Sequence, residues 1–391
     1  MPHIHLEVQT NGDVTFCCHT NTQVVIGSLH ESSLVELWKS KKVEEFRNLN
    51  SKLRSIHCES CSHYENNKMK SWREIHNESW DTAKPLYAES FEESNLLRSL
   101  GIRFSNTCNF SCRTCKPSTS TSWFSDAKFL NPNSVLKKIS STPKNKPLSS
   151  EIKPILNQLH HIYISGGEPL LEEDHFNLLT DIIELNPNLS LSYNTNLSTL
   201  FYKNRSILEK WSQIKKLFLN ISIDGYGKQG EYIRKGLNWD TFVENFKQVS
   251  SSLPEAKISL AFTLSIYNSL HVLDFLDFVK VELFENNYKD KIEITLVEDP
   301  SPMSLLNIPS NAKKIITNKY LEYISNESCP TIIRCLKDAI QFMNSQNLDK
   351  VTEFTQFNQK LDFIRNELFK NTSKAEFDLY FSQKNGAHDE I

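Results

Sequence analysis

The segment Cys108-Asn109-Phe110-Ser111-Cys112-Arg113-Thr114-Cys115 carries three thiols within eight residues, spaced C-x3-C-x2-C. Random placement of nine cysteines along 391 residues would produce this spacing about 0.005 times. Three thiolates on so short a stretch can wrap one cubic iron–sulfur cluster and leave one iron without a protein ligand. That open iron is free to chelate a substrate or cofactor. A structural zinc site would want a fourth ligand, and the nearest histidines, His160 and His161, lie far along the chain. Three-coordinate zinc or simple buried cysteines are the competing readings.

A second group comprises Cys17, Cys18, Cys58 and Cys61. The C-x2-C pair favours metal, iron–sulfur or zinc alike, since four cysteines also suit a zinc ribbon. Adjacent residues of a regular strand point to opposite faces. Cys17 and Cys18 therefore share a cluster only if the strand ends there; otherwise one of them packs. Cys329 and Cys335, six apart in an apolar helical context, read as buried structural thiols. Nine is an odd count in a long chain, and the start, MPHIHLEVQ, lacks the basic-then-apolar order of a secretory signal. A disulfide framework is not expected, and the cytoplasm is the expected compartment. No apolar run approaches the length of a membrane span. With 44 Lys+Arg against 47 Asp+Glu and a net charge of −3, bulk charge holds no nucleic acid.

The elements that must position these thiols follow from periodicity. Residues 1–90 open with strands at His5–Val8 and Val14–Phe16 around the hairpin signal Asn11-Gly12. A helix with Leu34, Leu37, Trp38 and Phe46 on one side follows. So little apolar surface makes a weak domain, which a metal at the cysteines would stabilise. Residues 97–300 alternate strands and helices. The strands centre on Leu100/Ile102/Phe104, His161–Ile164, Leu189/Leu191/Tyr193, Leu217–Ile223, Ile258–Ile266 and Ile292/Ile294/Leu296. Helical spacing appears at Phe176–Ile183, Leu200–Trp211, Phe242–Val249 and Leu273–Val279. Six βα units are too few for an eight-unit barrel. The expected fold is α/β, a partial (β/α)6 barrel, with the N-terminal hairpin/helix module before it and a helical C-terminal extension over 301–391 after it. The extension shows helical spacing at Ala312–Ile324, Thr331–Met343 and Phe357–Leu368, and the last six residues read as frayed. Residues 131–150, rich in Pro, Ser, Asn and Lys, read as a surface loop.

The triple-cysteine spacing resembles the radical S-adenosylmethionine (SAM) superfamily, and further residues stand where that family places its motifs. Ser165-Gly166-Gly167-Glu168-Pro169 is similar to the family's GGEP motif, which implies that Gly166, Gly167, Glu168 and Pro169 hold the amino group of SAM. By the same resemblance Asn194 and Asn196 contact the ribose, Ser222 lines the cofactor, and Arg234 meets the methionine carboxylate. The plainer reading of Arg234 is a surface salt bridge. Asn268 is a weaker candidate of the same kind. Cys108, Cys112 and Cys115 are then the ligands of a 4Fe-4S cluster that binds SAM through its open iron. The family's reaction breaks SAM reductively to a 5′-deoxyadenosyl radical that takes a hydrogen from its substrate. Residues 1–90 resemble a SPASM/twitch auxiliary-cluster module, with Cys17, Cys18, Cys58 and Cys61 as ligands and Gly27-Ser28-Leu29…Leu37-Trp38 in support. Relatives of this kind carry one more cysteine before a segment like Pro2–His5; His19 or His63 could take its place. The resemblance implies an electron donor of flavodoxin or ferredoxin type and a peptide or small-molecule substrate. A metal-stabilised scaffold without activity is the non-enzymatic alternative. Asp224, Glu298 and Tyr193 are all open as a general base.

Overall fold

The structure is a computed structural model that describes residues 3–17, 24–48, 57–66, 68–81, 96–143, 145–346 and 351–381. The chain divides into two compact units, Met1–Thr107 with Lys138–Tyr193 and Phe201–Phe218, and Cys108–Lys137 with Asn194–Leu200 and Leu219–Ile391.

In the first unit, β1 (His5–Val8) and β2 (Asp13–Thr15) form the expected hairpin, and β3 (Gly27–Ser28) pairs antiparallel with β2. Gly12 turns the hairpin at φ +87°, a left-handed conformation that favours glycine. β1 then pairs in parallel with β4 (Ser99–Arg103), His5 opposite Ser99 and Val8 opposite Ile102. The N-terminal strands therefore extend the parallel sheet. β5 (His161–Ser165) and β6 (Ser190–Thr195) continue it, in the order β6-β5-β4-β1-β2-β3. Period-2 alternation gives this sheet two faces. Leu6, Val8, Leu100, Ile102, Ile162, Ile164, Leu191 and Tyr193 are buried on one. Helix Glu173–Leu185 buries Phe176, Leu179 and Ile182, and its His175 Nε2 meets Tyr193 Oη at 2.7 Å, so it covers that face. The other face is polar, carrying His5, Glu7, Ser99, Arg103, His161, Tyr163 and Ser192 in register.

Two helices expected from periodicity are divided. Leu34–Trp38 and Lys41–Arg47 are separate, because Ser33 caps the first in a capping box and Ser40 holds the N-cap position of the second. The Leu200–Trp211 pattern resolves into a small hairpin, β7 (Phe201–Tyr202) and β8 (Arg205–Ser206), and a short helix, Ile207–Trp211. Lys203 at φ +53° makes its turn. The insertion is loop until Leu148, where a helix starts.

In the second unit lie β9 (Lys216–Ile223, from Leu219 onward), β10 (Lys257–Leu264) and β11 (Ile292–Leu296), neighbours in that order. Helices Trp239–Ser252 and His271–Glu282 follow β9 and β10 as expected, and Gly227–Ile233 is a helix that periodicity did not reveal. The carboxy-terminal segment is helical at Ser310–Asn326, Pro330–Ser345, Val351–Arg365, Phe369–Thr372 and Lys374–Phe381. The third of these starts six residues before the expected Phe357 and stops at Arg365. The last six residues fall outside the described ones. The fold class is α/β, of the partial (β/α)6 kind, with parallel strands alternating with helices and a helical C-terminus. Among the described residues, no helix is long and apolar enough to cross a membrane.

Candidate functional site

Cys108 to Cys115 form a loop whose backbone is held at almost every step. The Ser111 N–H donates to Lys235 O (2.8 Å) and the Arg113 N–H to Ile233 O (2.7 Å). The Ser122 hydroxyl donates to Cys108 O (2.7 Å), the Ser120 hydroxyl to Phe110 O (2.5 Å) and the Trp123 indole to Cys112 O (2.8 Å). Gly236 passes so close that a Cβ there would stand 2.8 Å from Asn109 O. The Phe110 N–H reaches Cys108 Sγ at 3.5 Å, and Asn196 Nδ2 lies 3.9 Å from the same sulfur while donating to Asn109 Oδ1 at 3.0 Å. The Cys112 and Cys115 thiols hydrogen-bond each other, which lowers the pKa of Cys112 and, with burial, raises that of Cys115.

Arg234 lies beside these two sulfurs and pairs with Asp224 at 3.1 Å. This pair is buried, so the surface salt bridge is not what forms. The second Asp224 oxygen accepts the Thr263 N–H at 3.1 Å, which leaves that carboxylate committed. Arg234 Nε is buried and has no hydrogen-bond partner, an orphan donor of a kind folded proteins rarely leave. Asn194 Oδ1 is likewise buried without a partner, and Ser222 is half-buried on β9. Asn268 spends its amide inside the protein, donating to Asp224 O (2.9 Å) and Thr263 O (3.0 Å). Tyr193 lies on the packed face of its sheet, and burial raises its pKa, so it is poorly placed as a base. Glu298 is exposed.

In the first unit the Gly166–Pro169 turn closes against the end of β4. The Gly167 N–H donates to Ser105 O (3.2 Å) and the Glu168 N–H to Thr107 O (2.7 Å). A Cβ on Gly167 would stand 2.0 Å from Thr107 O, and Gly166 adopts φ +125°, so this turn admits glycine at both places. Glu168 is buried and accepts the Leu170 N–H at 3.1 Å, capping the turn Pro169–Leu171. Across the polar sheet face runs a hydrogen-bonded line: Glu7 and His5 at 3.4 Å, His5 Nδ1 and Ser99 Oγ at 2.9 Å, Ser99 Oγ and His161 Nδ1 at 3.4 Å, His161 Nε2 and Ser192 Oγ at 2.9 Å. Arg103 anchors it, donating to Glu7 (2.6 Å) and Gln9 (2.9 Å). No motif flagged this line; only the strand register assembles it.

The N-terminal cysteines also converge in part. Cys17, Cys58 and Cys61 lie close enough to influence one another's ionisation, and burial raises the pKa of Cys58 and Cys61. Arg73, which the sequence did not single out, hydrogen-bonds Cys58 through its side chain and Cys61 through its backbone. Glu65 pairs with its guanidinium. His63 is exposed beside Tyr64. Cys18 and His19 lie outside the described residues.

Residues 102–279 match the family model described as the radical SAM superfamily, and residues 1–62 match that of the SPASM iron–sulfur cluster-binding domain. The chain thus carries a region similar to the radical SAM superfamily, just under half of its length, and an N-terminal region similar to the SPASM domain. A curated relative, the GTP 3′,8-cyclase of Sulfurimonas denitrificans, is 25% identical over 224 residues, 53% of this chain and 62% of the cyclase. Native anSMEcpe with bound AdoMet and a peptide is 19% identical, covering 58% of this chain and 60% of that one, with a TM-score of 0.42. Streptococcus suis SuiB bound to the precursor peptide SuiA is 16% identical, covering 73% and 61%, with a TM-score of 0.40. This chain thus spans about three fifths of the length of each of these proteins.

The cofactors of these two domains are 4Fe-4S clusters and SAM. The residues present fit them. Three thiols outside any disulfide share one backbone-pinned loop, and a cationic side chain with an unused buried N–H stands beside two of them. At the second group, the Arg73 donors suit anionic sulfur. Among the described residues no three His, Cys, Asp or Glu side chains are set to hold a single metal ion. A cubane takes its thiolates on separate iron corners, which is a wider arrangement.

Proposed function

We propose that this protein is a radical SAM enzyme that uses a 4Fe-4S cluster on Cys108, Cys112 and Cys115 to activate SAM and abstract hydrogen from a peptide or protein substrate. The carrying observation is the pinned three-thiol loop with Arg234 beside it. When bound, cluster and cofactor together supply a reductively generated 5′-deoxyadenosyl radical. The protein's part is to bind, orient and exclude water. Arg234 offers its free Nε–H to the methionine carboxylate while Asp224 holds the guanidinium from the other side. Asn196, tied to Asn109, orients a sugar hydroxyl. In the first unit the Gly166–Glu168 turn offers backbone polar groups and a carboxylate, chemistry suited to an ammonium group. Cys17, Cys18, Cys58 and Cys61 ligate a second cluster that takes up an electron or grips the substrate.

The SPASM match over residues 1–62 favours the peptide reading only through the resemblance to SPASM/twitch enzymes, which often act on peptides. A small-metabolite substrate is the second reading, favoured by the likeness to the cyclase. Cysteines that form no disulfide among the described residues suit a reducing cytoplasm with a flavodoxin- or ferredoxin-type donor. The test is anaerobic incubation with dithionite and SAM. The chain forms 5′-deoxyadenosine, and Cys112→Ala abolishes it. Undiminished cleavage by Cys112→Ala would remove the loop from the chemistry. Mass changes in offered peptides against offered nucleotides separate the two substrate readings.

A further inference from the structure

Arg113 sits inside the cysteine loop, yet its guanidinium belongs to the carboxy-terminal helices. It is fully buried. Nη1 donates to Asn358 Oδ1 at 2.7 Å, and Nη2 to Asp362 Oδ1 at 2.6 Å and Glu367 Oε2 at 2.7 Å. Nε donates to Tyr232 O at 3.1 Å, and the plane lies 3.7 Å over the Tyr232 ring. The acceptors are themselves fixed. Tyr232 Oη donates to Asp362 (2.8 Å), Tyr267 Oη to Asn358 (2.9 Å), and the Phe369 N–H to Asp362 (2.8 Å). Arg365, on the same helix as Asn358 and Asp362, donates to Ser111 O (2.8 Å) and Asp126 (2.6 Å) and lies 5.0 Å over the Trp123 ring. That indole holds Cys112 O. Lys235, whose carbonyl takes the Ser111 N–H, pairs with Glu367 at 2.6 Å.

Residues 351–367 thus touch the loop at Arg113, Ser111 and, through Trp123, Cys112. They lie outside both regions matched by family models. A buried ion pair contributes little net stability over a packed apolar group, so its use here is better explained by the geometry it imposes. Arg supplies a rigid fork, which a lysine cannot reproduce. We propose that helix Val351–Arg365 with Glu367 positions the cluster-binding loop, with Arg113 as the positioning residue through which it acts. Outer groups that fix ligand orientation tune metal affinity even without touching the metal.

The proposal rests on Cys108, Cys112 and Cys115 holding a cluster, and the test separates the two. Full-length wild type, Arg113→Met, Arg113→Lys and Glu367→Gln are compared by three readouts. These are iron loss to a chelator after anaerobic reconstitution, the electron paramagnetic resonance spectrum of the reduced protein, and hydrogen exchange of the loop amides in iron-free protein. Arg113→Met is expected to release the loop's iron on the order of 10- to 100-fold faster, to change the spectrum, and to speed exchange at residues 108–116 while the sheet amides stay protected. Arg113→Lys restores these only in part. Glu367→Gln, at the rim of the network, shifts the same readouts less and serves if Arg113→Met does not fold. Wild-type values in all three readouts overturn the proposal, as does exchange that speeds equally throughout the chain. If wild type takes up no iron on the loop, the cluster assignment fails. Exchange in iron-free protein then decides alone: faster loop exchange upholds the clamp, and unchanged exchange refutes it.

Discussion

The buried Asp224–Arg234 pair commits both carboxylate oxygens and leaves one guanidinium N–H unspent. A charge-assisted hydrogen bond is worth about 1.5–3 kcal/mol. Arg234→Gln is therefore expected to raise the KM for SAM about tenfold or more, read from 5′-deoxyadenosine formation, with the cluster still assembled. An unchanged KM would confine Arg234 to its pairing with Asp224. The cysteine ligands were legible because their spacing is local and improbable. Arg113 and Arg73 were not. The partners of Arg113 lie as far as 254 residues away, and Arg73 meets Cys58 and Cys61 only once two helices have folded back on each other.

Strands were legible for a different reason: apolar residues at period two survive any tertiary arrangement, and each of the six was found close to its place. Helices failed where a cap or a turn residue interrupts an apolar stripe, as Ser40 and Lys203 do. The polar line on the first sheet needed register, which alternation alone does not supply. Helix packing also buries histidines. Burial lowers His271 to about 4, and burial with the Arg205 charge lowers His175 to about 3, from 6.5. Below pH 6.5 the unfolded chain binds these protons and the native one does not. Their contribution is complete above that value and lost as pH falls toward 4 and then 3. His271 alone accounts for roughly 3 kcal/mol over that window. His271→Gln should flatten the fall in melting temperature between pH 6.5 and 4.5. A slope equal to wild type would mean that other groups dominate acid unfolding.

Counting iron tests how many clusters one chain carries. Two cubanes predict about eight irons and one about four. Cys58→Ala should remove about four while leaving some SAM cleavage uncoupled from product; an unchanged count would exclude the N-terminal cysteines as a cluster site. Sequence divided the molecule by motif, into stretches 1–90, 97–300 and 301–391, whereas compactness groups Met1–Thr107 with later segments. The reason is β1, which hydrogen-bonds a strand that begins at Ser99. His5 and Ser99 are separated by 94 positions. At the ribosome's pace of ~5–20 residues per second, the first strand waits roughly 5–20 s for its neighbour to be synthesised. During that interval β1 has β2 along one edge and nothing along the other, so the hairpin presents an unpaired strand edge until Ser99–Arg103 emerges. Shuffling this module to the far end of a gene would reverse which strand does the waiting.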